Sequence, residues 1–438
     1  LAALRERLHH DTAAWQALND IFSQLTRYPE RLREVLLTDG YLYAERPDLA
    51  SLLANGVSLD QLFTERELEI TRGSVVKHAV RKHREYQWAD GADAGQPARL
   101  WLFDRVSIRG QAMSPNKHVA LGDLRERLGA TRVEVERLSA DAALAQVSYG
   151  EQAVAAVLAI RDGEFELECE VVPPAMASAV EESRALRTRH ARLMERLQTA
   201  IAEQVAEGLP FDEPKTEEGQ QDGKLRQEWR SAYRHGYTTY EFNGDEYRVF
   251  GAGGIPRIPQ VCVDFITDTW ERMAGTRWGK RNEGRRRFVG RLDFDTLDIE
   301  NRRSVENLID FAVAHPEWFE LMLIPESERI PFAERSRFFR RLYDLRTEFQ
   351  PGDVVAILGP RDDDKLHYHS FFILADDPLT SMPTTVAANA GRPRIRTWEG
   401  EMQNAPRRSI IARIRPRQAW LESITAAEPV PTAELAAK

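Results

Sequence analysis

Apolar residues recur at helical spacing near the start of the chain, where Trp15, Leu18, Ile21, Phe22 and Leu25 share one face. This spacing predicts helix over residues 1 to about 60. The period then changes. Arg99–Val106 reads as a strand, and Thr131–Glu136 alternates polar and apolar residues as a half-buried strand does. Ala153–Arg161 and Glu164–Val172 flank Asp162-Gly163, a two-residue turn signal that predicts a hairpin. Pro173-Pro174 ends this sheet. From Ala175 up to Gly208 there is no Pro or Gly, and Leu186, Leu193, Leu197, Ile201 and Val205 form an apolar stripe, so one long helix is expected to end near Gly208.

A polar stretch from Pro210 to Gly223 offers little to bury and marks the expected domain boundary. Beyond it, Tyr237–Phe242 and Glu246–Phe250 flank Asn243-Gly244, a second hairpin signal. A Gly-rich loop leads into an apolar helix over Cys262–Met273. Helices are expected near Val305–Ala314 and Ala333–Thr347, then strands at Val354–Leu358, His369–Leu374, Thr385–Ala388 and Ser409–Arg415. The pattern is that of an α+β protein with a domain over 1–208, a second over 226–425 and a disordered Ala/Pro/Glu-rich tail over 426–438. No internal repeat is evident.

Length agrees with this division, since 438 residues suffice for two or three domains. The net charge of −9 argues against a dedicated nucleic-acid-binding protein, and no run of about 18 apolar residues is present to span a membrane. The chain begins at Leu1 rather than Met, as expected of a processed or trimmed product. Its first residues read as an amphipathic helix and not as a signal peptide.

Two cysteines exclude a disulfide-rich scaffold and a Cys-rich zinc site. Cys169 lies in Glu164–Glu170 on the same alternation as Phe165 and Leu167, which predicts a core thiol. Cys262 follows Gly251-Ala252-Gly253-Gly254 and opens a helix. There the unpaired backbone N–H groups and the positive end of the helix dipole favour thiolate over thiol. The alternative is a buried, inert thiol. A Cys169–Cys262 disulfide is disfavoured.

A nucleophilic thiol needs a base and a group to orient it. His369 lies on one expected strand and Asn389 ends the next, so Asn389 is expected to hold one ring nitrogen of His369 while the other faces Cys262. No metal is needed. His367-Tyr368-His369 could bind zinc, but no third ligand is obvious.

These residues resemble the NlpC-like bacterial cell-wall cysteine hydrolases of the papain superfamily. The shared pattern is Gly253-Gly254, Cys262 opening a helix, Pro351-Gly352-Asp353-Val354-Val355, His369 followed by apolar residues, and Asn389-Ala390-Gly391. It covers about Tyr237 to Arg417. The closest match is a branch with Asp two residues after the Cys, as in Cys262-Val263-Asp264. In the better-known branch Asp precedes the Cys and Ser-Gly follows it, where this chain has Val261 and Val263-Asp264. The resemblance also implies a Tyr at the oxyanion site about twelve residues before the Cys, where this chain has Phe250, with Tyr247 nearby. The Cys262–His369 separation, 369 − 262 = 107 residues, exceeds the family norm, so a helical insertion is expected around Leu292–Thr347.

The expectation is therefore a papain-like domain over 226–425 after an N-terminal α+β domain of positioning or partner-binding role. Cys262, His369 and Asn389 are its catalytic residues, without a cofactor. Phe250, Tyr247, Trp278 and Arg394 are candidates for substrate contact. The last two come from basic stretches around Arg277–Phe288 and Arg392–Arg396, readable either as solvated, ion-paired faces or as a wall for an anionic ligand. The resemblance implies a peptidoglycan peptide or amide substrate and a periplasmic or extracellular location. The competing expectations are a catalytically silent module that binds a wall component or partner protein, and a different acyl-transfer specificity such as deamidase or lipid amidase.

Overall fold

The computed structural model describes mainly strand segments between Gly40 and Ala120, residues 124–425 with gaps at 139–141, 162–163, 213–222, 361–363, 377–380, 382 and 403–404, and residues 432–433. The fold is α+β. Within the stretch expected to be helical, Gly40–Ala44 and Leu52–Ala54 are instead short strands. Trp15, Leu18, Ile21, Phe22 and Leu25 lie outside the described residues, as does most of the tail.

Among the described residues, eleven strands between Gly40 and Val171 form one sheet. One end of it is an antiparallel meander of β1 (Arg132–Leu138), β2 (Ala142–Tyr149), β3 (Gln152–Arg161) and β4 (Glu164–Val171). Alternate residues of β2 and β3 are buried, as their period-two pattern requires. Cys169 departs from the expectation and is exposed. A bulge between β3 and β4 places Leu167 opposite Leu158 but Cys169 opposite Val157. The slip turns Cys169 away from the face that buries Val154, Ala156 and Leu158.

The long helix forms as expected. α1 (Ala177–Glu207) ends at Gly208, whose φ of 58° is the left-handed conformation that glycine adopts without strain. α2 (Lys224–His235) follows, then the hairpin β5 (Thr239–Phe242) and β6 (Asp245–Arg248). Its turn residues Asn243 and Gly244 both have positive φ, as a tight two-residue hairpin demands. Next come α3 (Cys262–Met273) and α4 (Val305–Ala314).

A six-stranded antiparallel sheet organises the C-terminal half. Its strands are β7 (Phe319–Leu323), β8 (Val354–Pro360), β9 (Leu366–Asp376), β10 (Pro383–Asn389), β11 (Pro393–Thr397) and β12 (Ser409–Pro416), in the order β7-β12-β8-β9-β10-β11. Three further helices accompany this sheet: α5 (Arg335–Asp344) between β7 and β8, α6 (Trp398–Met402) after β11, and α7 (Gln418–Thr425) after β12. The stretch expected as a helical insertion therefore also supplies an edge strand, β7, to the sheet.

Both faces of this sheet are covered, which explains the nearly continuous apolar runs of β8 and β9. On one face Val354, Ala356, Phe372, Leu374 and Ala387 share a core with Phe265, Ile266 and Trp270 of α3 and Leu193, Leu197 and Ile201 of α1. On the other, Val355, Ile357, Phe371, Ile373 and Val386 belong to one core with Val133, Val147 and Leu158 of the N-terminal meander and Phe338 and Leu342 of α5. The buried Arg125–Asp376 ion pair ties the meander side to the end of β9.

Candidate active site

α3 is buried along almost its whole length. Val263, Ile266, Trp270 and Met273 form its apolar stripe, at the spacing that keeps side chains on one helical face. Asp264, Asp268 and Glu271 form a second, acidic stripe. Arginines cover it. Arg226 of α2 makes a two-pronged bond to Asp268 at 3.0 and 3.1 Å. Arg302 reaches Asp268 at 2.9 Å and Glu271 at 3.2 Å. Arg303 pairs with Asp264, which also accepts a 3.0 Å bond from the Val261 backbone N–H and has Arg226 3.5 Å and Arg302 4.0 Å from its other oxygen. Burial disfavours the Asp268 carboxylate, but Arg226 and Arg302 outweigh it and hold that group well below the usual carboxylate range.

These contacts anchor the first turn of α3, and Cys262 is its first residue. The loop before it turns through Gly253 and Gly254, at φ 65° and 74°. The thiol meets β9 where the sheet opens. Pairing of β9 with β10 ends at Phe372↔Ala387, whereas pairing with β8 continues through His369 and beyond. At the divergence, the His369 ring and Ser370 lie close enough to the Cys262 thiol for both to favour its ionised form. The other ring contact is on the far side: His369 Nε2 lies 2.8 Å from Glu401 Oε1 of α6. Nε2 is thus committed to Glu401, which leaves Nδ1 for the thiol.

Burial pushes the Cys262 thiol up, but the hydrogen bond and charge of His369 prevail and set it below its ordinary value. Burial likewise opposes protonation of His369, yet its bonds to Cys262 and Glu401 push it up to about 9. Glu401 is lowered: burial works against its charge, and Arg396, 3.3 Å away, together with His369 overcomes it. The set favours a thiolate–imidazolium pair backed by a carboxylate, which is the charge state that nucleophilic attack on a carbonyl requires.

Two of the three expected catalytic residues therefore come together, Cys262 and His369. Asn389 does not reach the ring. It is fully buried on the α3 side of the sheet, and its Nδ2 faces Gln260 Oε1 at 3.5 Å. The reason is strand alternation: Asn389 follows Ala387 on the face packed against α3, whereas Arg394 and Arg396 of β11 alternate with inward-facing Ile395 and lie on the Glu401 side. The group that meets the ring is Glu401. Sequence reasoning missed it because it sits in a five-residue helix with no periodic signal.

Phe250 and Trp278 join Trp229 and Tyr233 in a separate aromatic cluster, and Tyr247 stacks on Tyr240 at 5.6 Å. That cluster is distinct from the core containing Cys262. Arg394 is close enough to Glu401 to lower it electrostatically. Much of the basic residue content is ion-paired: Arg277 with Glu283, Arg287 with Asp293, Arg413 with Glu320 and Arg415 with Asp353. His367 is bonded by Arg408 at 2.9 Å, while His369 faces Cys262 and Glu401, so the two rings of the His-x-His have different partners. Among the described residues no group of three or more His, Cys, Asp or Glu side chains is placed to hold a metal ion. No helix among them is long and apolar enough to cross a membrane.

No protein-family model, curated protein or solved structure matches the chain.

Proposed function

We propose that the protein is a cysteine-dependent amide hydrolase with a papain-like arrangement, in which a helix carrying the nucleophile packs on an antiparallel sheet carrying the base. The observation that supports this reading is the Cys262–His369–Glu401 chain, with the thiol lowered and the imidazole raised. Cys262 Sγ attacks the amide carbonyl. The His369 imidazolium gives its proton to the leaving amine, and the neutral ring then takes a proton from the water that releases the acyl group. Glu401 holds the ring and stabilises its charged form. Backbone N–H groups at the start of α3 are suited to bind the carbonyl oxygen as it becomes negative.

The resemblance to NlpC-like enzymes directs the substrate proposal toward peptidoglycan stem peptides, and hence toward the periplasm or the extracellular space. The test is release of products from peptidoglycan fragments by the protein and its Cys262→Ala variant. Turnover that survives the substitution sinks the mechanism. Burial favours a second reading. Cys262, His369 and Glu401 are only 8, 5 and 4% exposed, as in a module that binds without turning over. On that reading Cys262 alkylates no faster than a free thiol at neutral pH.

A further inference from the structure

A buried relay runs from the arginine-covered stripe of α3 to the end of β10. Gln260 stands two residues before Cys262 and is fully buried. Its Nε2 donates to Asp268 Oδ2 at 2.6 Å and to Gln204 Oε1 of α1 at 2.7 Å. Asp268 is itself locked by Arg226 and Arg302. Both donors of Gln260 face acceptors, so its Oε1 must point toward Asn389. A donor is needed there, and Asn389 Nδ2 supplies it. The Asn389 amide has no freedom to flip, because flipping would set Oδ1 against Gln260 Oε1.

Asn389 Oδ1 is consequently turned away from Gln260. It is buried, and it accepts no hydrogen bond. A buried acceptor without a donor costs free energy and is uncommon in folded proteins. This one lies on the α3 face of the sheet. It is on β10 just beyond the point where β10 parts from β9, and Ser370 of β9 contacts the Cys262 thiol at that same opening.

Building on the nucleophile reading above, we propose that Asn389 is a specificity-determining residue whose Oδ1 accepts an N–H next to the carbonyl that Cys262 attacks. The substrate class is then a primary or secondary amide, and the isosteric ester is discriminated against. A site built to bind an N–H rejects the analogue lacking it because its own acceptor is left unpaired. Gln260 acts through Asn389 and is a positioning residue.

The test compares two reagents that differ only in N–H versus O, N-methyl iodoacetamide and methyl iodoacetate. Alkylation of Cys262 is followed by mass spectrometry in the full chain carrying Cys169→Ser, which removes the exposed thiol. Each rate is divided by that of glutathione with the same reagent. The expected preference for the amide is roughly tenfold. Asn389→Leu should bring it to about one, and Asn389→Asp, which keeps an oxygen there, should retain part of it. A normalised preference near one in the otherwise unaltered chain overturns the inference even if the variants do not fold. So does a preference that persists in Asn389→Leu. The nucleophile reading fails on different data: absolute rates no faster than glutathione with both reagents.

Discussion

Glu401 and His369 stand 32 residues apart in the chain and meet at 2.8 Å, Oε1 to Nε2, in the interior of the protein. The carboxylate is buried but not isolated, because Arg396 lies 3.3 Å from its other oxygen. An acid so placed fixes the ring orientation and favours its positive charge. Glu401→Gln is therefore expected to leave the fold intact and to lower turnover by about 10²–10⁴-fold. His369 should also titrate below its present value of about 9 in this variant. NMR titration of the imidazole, read beside the rate, checks both outcomes.

The pH profile follows from the same pair. His369 must be protonated to serve the leaving group and is raised to about 9, so turnover should fall as pH rises through about 9. Cys262 must be ionised and is lowered from its ordinary value, so the acid limb should lie below that of a free thiol. In stability terms the signs match. The raised imidazole contributes stability that is full below its unfolded value and is lost as pH rises through about 9. The thiolate contribution is lost as pH falls through the lowered thiol value. Alkylation rates from pH 4 to 10 measure the acid limb directly, and a limb at or above the free-thiol value contradicts the ion pair.

Arg303 covers Asp264, and Asp264 holds the backbone at the start of α3. Removing the arginine leaves a fully buried carboxylate with less compensation. Arg303→Met should destabilise the protein by about 3–5 kcal/mol. Denaturant melts would register this. Alkylation of Cys262 should slow as well, since the first turn loses its anchor. Unchanged stability would show that Arg226 and Arg302 suffice for Asp264.

Trp270 lies two turns further along α3 and is almost fully buried among Phe294, Phe319, Phe372 and Trp420. Trp270→Ala should cost about 3–5 kcal/mol through the cavity left behind. Calorimetry separates this loss from catalysis: at temperatures where the variant stays folded, the Cys262 thiol should keep its low titration value.

Parts of this architecture were legible because local signals carried them. Cys262 at a Gly-loop-to-helix junction and His369 in an apolar strand are visible in sequence, and α3 and α4 begin and end where periodicity places them. Signals that depend on three-dimensional alternation were not. Asn389 and Glu401 lie on opposite faces of the sheet, and only the register tells which face His369 uses. The acid after Arg396 could have been found by asking what neutralises that arginine once β11 is buried. Cys169 was misplaced by one bulge, a single extra residue that no alternation pattern reveals. The acidic stripe of α3 was not singled out at all, because the arginines that cover it come from distant segments.

The six-stranded sheet that carries His369 has no face to spare for water. Its far side is sealed by strands laid down more than two hundred residues earlier, through Val133, Val147 and Leu158 against Val355, Ile357 and Phe371. A fragment covering only 224–425 would contain every candidate catalytic residue, yet it would leave that face to α5 and its neighbours and lose Val133, Val147 and Leu158 from it. The core behind His369 is thus an attribute of the two halves jointly, and trimming the chain to its chemistry discards part of the packing against the sheet.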